Sequence, residues 1–280
     1  MLLERFHRGE TVWAVGVYDA LGALLARDAG FDVVMTGGFG VTASLLGLPD
    51  HEFLTLTENV GVVSRLTALG GLAVVADIDT GYGSTMGVQR AVADFARAGA
   101  GAVIIEDQVS PKSCPACAKS VELVDLPEAV AKIRAARSVA GDRLAVIART
   151  DAFDPEEACV RASAYAAAGA DLIQPISKTF SDFAGLQELR ARCGVRLSLQ
   201  LLGWLETDLT REQISELAGL ATFTFTPLLT AAHALRQNLV ALKSNLSTVG
   251  LPAPRMPLAD LSELLGFDDW IVRQESFYRP

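Results

Sequence analysis

Residues 73–81 read AVVADIDTG, a short apolar run that stops abruptly at two acidic residues, and this stretch decides the fold. A continuous apolar run of this length is typical of a strand that is buried on both faces of a parallel sheet. Seven further runs of this kind occur along the chain, so the sequence predicts eight strands. They are Trp13–Val17, Val33–Thr36, Ala73–Asp79, Ala102–Glu106, Leu144–Thr150, Leu172–Pro175, Arg196–Leu201 and Thr222–Thr226.

Stretches rich in Ala and Leu, with helical spacing, separate these strands. Gly30, Gly99 and Gly169 each lie between a predicted helix and the next strand, as glycine does where a helix end needs a positive φ. Eight strand–helix units predict an α/β fold, the closed (β/α)8 TIM barrel, and a doubly wound open sheet is the alternative. The predicted helices are Ala20–Ala29, Leu56–Ala68, Gly87–Ala98, Leu126–Ala136, Pro155–Ala168, Ser181–Cys193, Arg211–Ala218 and Leu228–Leu242.

We expect two regions, a catalytic barrel domain over residues 1–250 and a tail over residues 251–280. The tail begins with three prolines in seven residues, which predicts a stiff linker. Two short amphipathic helices follow, Ala259–Leu265 and Asp268–Gln274, with Trp270 among their apolar residues. Because the barrel is complete without them, they indicate either a contact with another subunit or a tail folded over its own barrel.

The composition excludes several classes of protein. The chain has 280 residues, is 50% hydrophobic and carries a net charge of −9, with no cluster of Lys and Arg. Nucleic acids and anionic membranes need basic patches, so neither is an expected partner. No apolar run is long enough to span a bilayer, the first residues do not resemble a signal peptide, and four cysteines make no disulfide scaffold. We therefore expect a cytoplasmic protein.

Acidic residues end the strands that should surround the active site, since barrels of this kind place it at the carboxyl ends of their strands. Asp77 and Asp79 are two residues apart on one predicted strand and would point the same way, and Glu106 ends the next strand. Adjacent buried carboxylates need a cation, and their oxygens suit Mg²⁺ or Mn²⁺. Helix capping or pairing with arginine is the alternative, which we favour for Asp151. Arg149 can bind a substrate carboxylate through its planar fork, or pair with a neighbouring acid.

The loop after the fourth strand is long enough to act as a gate over this face. It contains Lys112, Cys114 and Cys117. Cys114 can act as an acid or base, and we expect the ammonium of Lys112 to lower the pKa of its thiol. The spacing of Cys114 and Cys117 also allows a disulfide that would lock the gate. No second cysteine pair supports a zinc site, and no glycine-rich phosphate loop is present.

Together these motifs resemble the isocitrate lyase/phosphoenolpyruvate mutase superfamily, and they are closest to carboxyphosphonoenolpyruvate mutase and methylisocitrate lyase. The resemblance covers residues 16–176. The motifs that carry it are Tyr18-Asp19-Ala20, Met35-Thr36-Gly37-Gly38, Leu46-Gly47-Leu48-Pro49-Asp50, residues 77–83, Ile105-Glu106-Asp107-Gln108, Lys112 with Cys114, and Ala148-Arg149-Thr150-Asp151.

The resemblance implies a Mg²⁺-dependent barrel enzyme, a dimer of dimers whose C-terminal helix crosses to a neighbouring subunit. Its members break or rearrange bonds beside the carbonyl of 2-oxo acids, or cleave 2-hydroxy acids, through a metal-stabilised enolate. The implied metal ligands are Asp50, Asp77, Asp79 and Glu106. The implied substrate-binding residues are Thr36, Gly37, Gly38, Arg149 and Gln200. The implied catalytic residues are Tyr18, Lys112, Cys114 and Arg149.

The gate departs from that of the superfamily's lyases, which reads Lys-Lys/Arg-Cys-Gly-His. Here residues 112–116 read KSCPA, and strands six and seven lack partners for further carboxylates. A substrate with three carboxylates would leave some of them buried without partners. We therefore expect a carbon–carbon lyase that acts on a small 2-oxo or 2-hydroxy acid by retro-aldol cleavage, decarboxylation or hydrolysis. The alternatives are an enzyme that forms or cleaves a carbon–phosphorus bond and a 2-oxo acid binding protein without catalysis.

Overall fold

A computed structural model describes residues 1–278, and in it eight parallel strands close into a barrel in chain order. The final strand pairs with the first, Val12 against Leu220, so the predicted closed barrel is confirmed and the open sheet is wrong. Arg279 and Pro280, which end the predicted tail, lie outside the described residues. The strands are β1 (Val12–Val17), β2 (Val33–Thr36), β3 (Ala73–Asp77), β4 (Ala102–Glu106), β5 (Ala145–Thr150), β6 (Leu172–Pro175), β7 (Leu197–Gln200) and β8 (Ala218–Phe223).

The helices surround the barrel and extend beyond it. Those of the barrel are α1 (Leu2–His7), α2 (Ala20–Asp28), α3 (Gly38–Leu46), α4 (Leu56–Ala68), α5 (Thr85–Arg97), α6 (Leu126–Ala140), α7 (Pro155–Ala167), α8 (Phe183–Cys193), α9 (Trp204–Thr207), α10 (Arg211–Leu217) and α11 (Thr226–Asn245). Those of the tail are α12 (Leu258–Leu264) and α13 (Phe267–Ser276). Gly30, Gly99 and Gly169 all have positive φ values, as predicted. The short helices α1, α3 and α9 were not predicted.

Helix α1 closes the amino-terminal end of the barrel. Its apolar side chains Leu2, Leu3 and Phe6 are buried and belong to the same hydrophobic cluster as the residues that fill the barrel interior. A second, larger cluster packs the outer faces of the strands against the surrounding helices. With one end plugged, the opposite end, where the strands reach their carboxyl termini, is left to form a site.

Two strand predictions are wrong at their ends. Strand β3 stops at Asp77, and Asp79 has a φ of 49°. Asp79 therefore lies in the turn after the strand, and the two carboxylates are not neighbours on one face of a strand. Strand β8 was expected at Thr222–Thr226 but begins four residues earlier, directly after α10. A Cβ at Gly219 of this strand would lie 2.7 Å from the side chain of Leu172. Close packing inside the barrel, which a local pattern does not reveal, selects that glycine.

The tail leaves its apolar side chains exposed. No residue of α11, α12 or α13 is buried, and Trp270 and Phe267 expose more than 60% of their surface. Helix α12 contacts α2 of the barrel, but the apolar side chains of the tail stay uncovered. The linker is fixed by Asn238, whose side chain exchanges two hydrogen bonds with the backbone of Ala253, both of 3.0 Å. No helix within residues 1–278 is long and apolar enough to cross a membrane.

Gly16 tests the closure of the barrel. A Cβ at this position would lie 2.0 Å from the carbonyl oxygen of Thr224, which cannot move without displacing the end of β8. We expect Gly16→Ala to lower the free energy of unfolding by at least about 2 kcal/mol, measured in urea. Gly101→Ala is the matched control, because its Cβ would meet only ordinary contacts, the nearest at 3.5 Å. Equal stabilities of the two variants would contradict this account of closure.

Candidate active site

One cavity lies at the carboxyl end of the barrel, and residues at or beyond the carboxyl ends of seven of the eight strands form its wall. Its volume is about 50 Å³. Carboxylates, one guanidinium, one ammonium and one thiol share the wall with apolar side chains, so the cavity combines charged groups with an apolar surface. The lining residues are Met35, Gly37, Gly38, Phe39, Asp50, Asp77, Cys114, Pro115, Ala116, Arg149, Ile176, Ser177, Lys178, Gln200, Leu202, Thr224 and Phe225.

A buried ammonium lies among the acids beneath the cavity. The Nζ atom of Lys112 is 2.6 Å from Oδ1 of Asp79, 3.2 Å from Oδ1 of Asp50 and 3.8 Å from Oε1 of Glu106. All four side chains are buried. Carboxylates removed from water repel one another strongly, and a cation among them offsets that repulsion. The chain thus supplies its own positive charge at this point.

The end of β3 holds the carboxylate of Asp77 in place. Its two oxygens accept hydrogen bonds of 3.2 Å from the backbone N–H groups of Gly38 and Asp79. Asp79 can donate in this way because it takes the left-handed conformation, which aspartate tolerates better than most residues. Asn59 of α4 steadies the same turn by donating to the carbonyl of Asp77 at 2.8 Å and to the hydroxyl of Tyr82. No motif in the sequence marks Asn59.

Position 38 leaves little room for any side chain. A Cβ on Gly38 would lie 3.0 Å from Oδ1 of Asp79, 3.1 Å from Oδ1 of Asp50 and 3.2 Å from Nζ of Lys112. These atoms are held by ion pairs and have little room to move. The start of α3 can therefore approach the charged cluster closely. This close approach is a physical reason for the glycines that follow Thr36 in the sequence motif.

Burial controls the protonation of these acids. It raises the pKa of Asp79 to about 7, against the opposing effect of Lys112, and Asp77 raises it further. It also raises the pKa of Glu106 well above its usual value, although the neighbouring Arg149 and Lys112 act in the opposite direction. The acids in turn raise the pKa of Lys112 well above its usual value and outweigh its burial. The ammonium stays charged, while the acids take up protons readily.

Arg149 is fixed by two acids. Its NH1 lies 2.9 Å from Oε2 of Glu106, and its Nε and NH2 donate to both oxygens of Asp151 at 2.7 and 3.0 Å. The predicted pairing of Asp151 with arginine is confirmed, but this residue caps no helix, since Asp154 accepts the N–H bond at the start of α7. Asp107 supports Asp151 by accepting its backbone N–H at 2.9 Å.

Glu52 ties the loop after β4 to the barrel, a role that no motif in the sequence marks. It accepts hydrogen bonds from the hydroxyl of Ser110 at 2.6 Å, from the backbone N–H of Lys112 at 3.1 Å and from the hydroxyl of Thr80. Nδ1 of His51 lies 3.3 Å from the carbonyl oxygen of Lys112. These contacts hold the backbone of Lys112 so that its side chain reaches down to the acids.

Cys114 lines the cavity as a half-buried free thiol, and the other cysteines are free as well. Burial raises the pKa of this thiol, with the carboxylate of Asp50 as a further cause. The expectation that Lys112 lowers the pKa is therefore wrong, because its ammonium points away to Asp50 and Asp79. Cys114 remains a protonated thiol at neutral pH.

The structure brings together most of the residues that were predicted for the site. Asp79, Glu106 and Lys112 lie beneath the cavity, and Thr36 is buried beside it with a hydroxyl that has no hydrogen-bond partner. Tyr18 is an exception, because it does not line the cavity and packs against Gly40 of α3. The predicted residues that line the cavity are Gly37, Gly38, Asp50, Asp77, Cys114, Arg149 and Gln200.

The acids are not spaced as a metal site. Within residues 1–278, no group of three or more His, Cys, Asp or Glu side chains has the arrangement that would hold a metal ion. Lys112 lies among these acids and separates them. Oδ1 of Asp79 and both carboxylate oxygens of Glu106 are nevertheless buried and accept no hydrogen bond of good geometry. Their charged neighbours are the ion-pair partners Lys112 and Arg149. Such oxygens can still accept a cation.

Comparison with known proteins gives consistent results. The family described as phosphoenolpyruvate phosphomutase matches residues 3–246. The petal death protein of Dianthus caryophyllus is 34% identical over 94% of this chain and 84% of its own length. An oxaloacetate decarboxylase of Chromohalobacter salexigens is 37% identical over 69% of this chain and 67% of its own length.

Solved structures share the whole architecture. The phosphoenolpyruvate phosphomutase from Streptomyces platensis subsp. rosaceus superposes with a TM-score of 0.90 and 30% identity, covering 99% of each chain. A phosphonopyruvate hydrolase in complex with oxalate and Mg²⁺ superposes with a TM-score of 0.88 and 26% identity, covering 99% of this chain and 98% of that one. A 2,3-dimethylmalate lyase superposes with a TM-score of 0.88 and 29% identity, covering 98% of this chain and 93% of that one.

The protonation of Asp79 has a measurable effect on stability. Since its pKa rises from 3.8 to about 7 on folding, the folded state binds more protons than the unfolded chain between these values. The contribution of Asp79 to the free energy of unfolding therefore falls as the pH rises from about 4 to about 7. We expect Asp79→Asn to remove this part of the decline, measured by urea unfolding in the presence of a chelator.

Glu58→Gln is the control for this measurement. A hydrogen bond from Thr55 lowers the pKa of Glu58, so the contribution of this exposed carboxylate to the free energy of unfolding rises with pH. The substitution Glu58→Gln therefore removes a pH dependence of the opposite sign to that of Asp79. If Asp79→Asn followed the wild-type pH profile throughout, the raised pKa of Asp79 would be refuted.

Proposed function

The chain belongs to the phosphoenolpyruvate mutase/isocitrate lyase superfamily, and within it we propose a magnesium-dependent carbon–carbon lyase that acts on a small 2-oxo or 2-hydroxy carboxylic acid. The chain is an enzyme of this superfamily, and its relatives are mostly lyases. One observation carries the proposal. A small cavity has carboxylates at its floor, the guanidinium of Arg149 on one side and the protonated thiol of Cys114 in its wall.

The chemistry of the floor residues suits a divalent cation, although Lys112 separates the acids in this arrangement. Asp50, Asp77, Asp79 and Glu106 supply only oxygen, which Mg²⁺ and Mn²⁺ prefer, and three of these oxygens have no partner beyond the ion pairs with Lys112 and Arg149. The ammonium of Lys112 already lies among them, so the position favours positive charge. A bound divalent cation would supply the charge that polarises a substrate oxygen. The relative crystallised with oxalate and Mg²⁺ supports this assignment.

Arg149 is suited to hold the substrate carboxylate. Asp151 and Glu106 contact all three nitrogens of the guanidinium and fix its plane, and the side chain lines the cavity. An anchored fork loses little entropy when it binds a second carboxylate. Gly37 and Gly38 open α3 on the opposite wall, where the positive end of a helix favours an anion.

Cys114 is suited to donate a proton. Cleavage of a carbon–carbon bond beside a carbonyl leaves an electron pair on carbon, and that carbon must be protonated before the product can leave. The pKa of Cys114 is raised, so the thiol carries its proton at neutral pH. The proton would pass from Sγ of Cys114 to this carbon, and water would restore the thiol afterwards.

The wall of the cavity favours a small substrate with few carboxylates. Arg149 is the one guanidinium among its lining residues, and much of the wall is apolar. The rings of Phe39 and Phe225 lie 5.1 Å apart at one side and narrow it. Oxaloacetate and short alkyl malates carry only two carboxylates and little bulk. Decarboxylation, retro-aldol cleavage and hydrolysis all remain within this class.

A substitution at the floor tests the proposed activity. We expect Asp77→Asn to lower kcat/KM for oxaloacetate or a 2-alkylmalate by at least about a hundredfold, because the carboxylate ends β3 at the cavity. A chelator should abolish wild-type turnover, and Mg²⁺ should restore it. Asp142→Asn, an exposed change between α6 and β5, is the control. Turnover by Asp77→Asn at the wild-type rate, with the same Mg²⁺ dependence, would refute the proposal.

Chemistry on carbon–phosphorus bonds is the second candidate, because the matching family and two similar structures are described by such activities. Against it, the curated relatives matched at higher identity include oxaloacetate decarboxylases, and the gate carries Cys114. Phosphorus NMR of an incubation with phosphonopyruvate separates the two candidates. Consumption of phosphonopyruvate in preference to oxaloacetate would favour the second.

The exposed tail supports a homo-oligomer, a dimer or tetramer in which α13 crosses to a neighbouring subunit. Trp270, Phe267 and Val272 expose apolar surface that a single chain leaves uncovered. We expect light scattering to show an oligomer and the double variant Phe267→Asp/Trp270→Asp to shift it to smaller species. Val249→Asp, an equally exposed apolar position in the loop after α11, should leave the mass unchanged. A monomeric wild type would refute the oligomer.

A further inference from the structure

Lys178 connects two loops across the mouth of the cavity. It follows β6, and its Nζ donates a hydrogen bond of 2.6 Å to the carbonyl of Pro115 and another of 3.1 Å to the carbonyl of Ala118. Both carbonyls belong to residues 112–118 of the loop after β4, which carry Cys114 and are called the gate segment below. Within residues 1–278 no carboxylate lies within 4.0 Å of this ammonium, so its main partners are the carbonyls of the gate.

The gate segment is shaped to meet Lys178. The backbone N–H groups of Cys117 and Ala118 both donate to the carbonyl of Cys114, at 3.0 and 2.9 Å, and close a compact turn. The carbonyls of Pro115 and Ala118 remain as acceptors for the lysine. A single cation can satisfy both of them, which a neutral side chain could not do as strongly.

The base of Lys178 is itself held in place. Nε1 of Trp204 on α9 donates to the carbonyl of Ser177 at 2.9 Å and fixes the backbone beside the lysine. The ammonium also lies 5.8 Å from the centre of the Phe153 ring, a favourable cation–π contact. Lys178 is thus a rigid support on the barrel, and the gate rests against it.

We propose that Lys178 is a positioning residue that latches the gate closed and holds the thiol of Cys114 over the cavity. Lys112 and Glu52 fix the start of this loop, and Lys178 fixes its other end beyond Cys114. The proposal rests on the proposed function for the use of the thiol. The position of the latch itself does not depend on the substrate.

The test measures the accessibility of Cys114 without substrate. In a Cys117→Ser background, the rate at which a thiol reagent such as 5,5′-dithiobis(2-nitrobenzoate) modifies the folded protein reports Cys114, since Cys159 and Cys193 are buried. We expect Lys178→Met to raise this rate about tenfold, the scale of one charge-assisted hydrogen bond. Lys178→Arg should retain most of the protection, and Lys119→Met, which removes an exposed lysine from the same loop, should leave the rate unchanged.

Kinetics provide the second measurement. With an active substrate, Lys178→Met should lower kcat by about tenfold and leave KM almost unchanged, because the latch positions the proton donor. A higher KM with unchanged thiol reactivity would show that Lys178 binds substrate and would overturn the latch. Unchanged reactivity in both Lys178→Met and Lys178→Gln, each confirmed as folded by thermal unfolding, would also overturn it. Failure to find a substrate would affect only the proposed function, since the thiol measurement needs none.

Discussion

The ammonium of Lys112 among buried carboxylates is the interaction on which the site depends. Removing several like charges from water is costly, and the barrel offers no solvent to screen them at this depth. Nζ of Lys112 contacts Asp79 and Asp50 and approaches Glu106. The pKa shifts of these groups express the same balance, since the acids take up protons easily and the lysine keeps its proton. The close approach of Gly38 and the anchoring of the gate through Glu52 both serve this contact.

This interaction also links the floor of the cavity to its cover. Lys112 and Cys114 belong to one loop, so the ion pairs that compensate the floor also hold the thiol in the wall. A proton, the ammonium and a divalent cation can each offset the same negative charge. The negative charge of the floor and the position of Lys112 in its loop are therefore linked by the same ion pairs.

The sequence predicted what depends on local pattern. Apolar runs gave eight strands and their order, and acidic residues at strand ends located the site, because parallel strands share one carboxyl edge. What it missed depends on contacts between distant segments. Glu52 meets Ser110 and Thr80, and Asn59 supports Asp77, yet nothing in their neighbourhood marks them. The proximity of Lys112 in sequence predicts a lowered pKa for the thiol of Cys114, whereas in space the ammonium points to Asp50 and Asp79. Spacing along the chain gives candidates, but the direction of a side chain decides its electrostatic partner.

The charges that remain at the site constrain how a substrate binds. Asp50, Asp77, Asp79, Glu106 and Asp151 contribute −5 when all are ionised, and Lys112 and Arg149 contribute +2, so the fully ionised cluster carries −3. The raised pKa values of Asp79 and Glu106 reduce this negative charge by protonation. An anionic acid entering this cavity brings still more negative charge into a buried space. Its entry is favourable only together with a cation or with protons on the acids. Substrate and divalent cation should therefore bind with positive coupling, and linkage makes that coupling reciprocal, so each raises the affinity of the other. A site that is too acidic for its substrate alone thus selects for the complete complex.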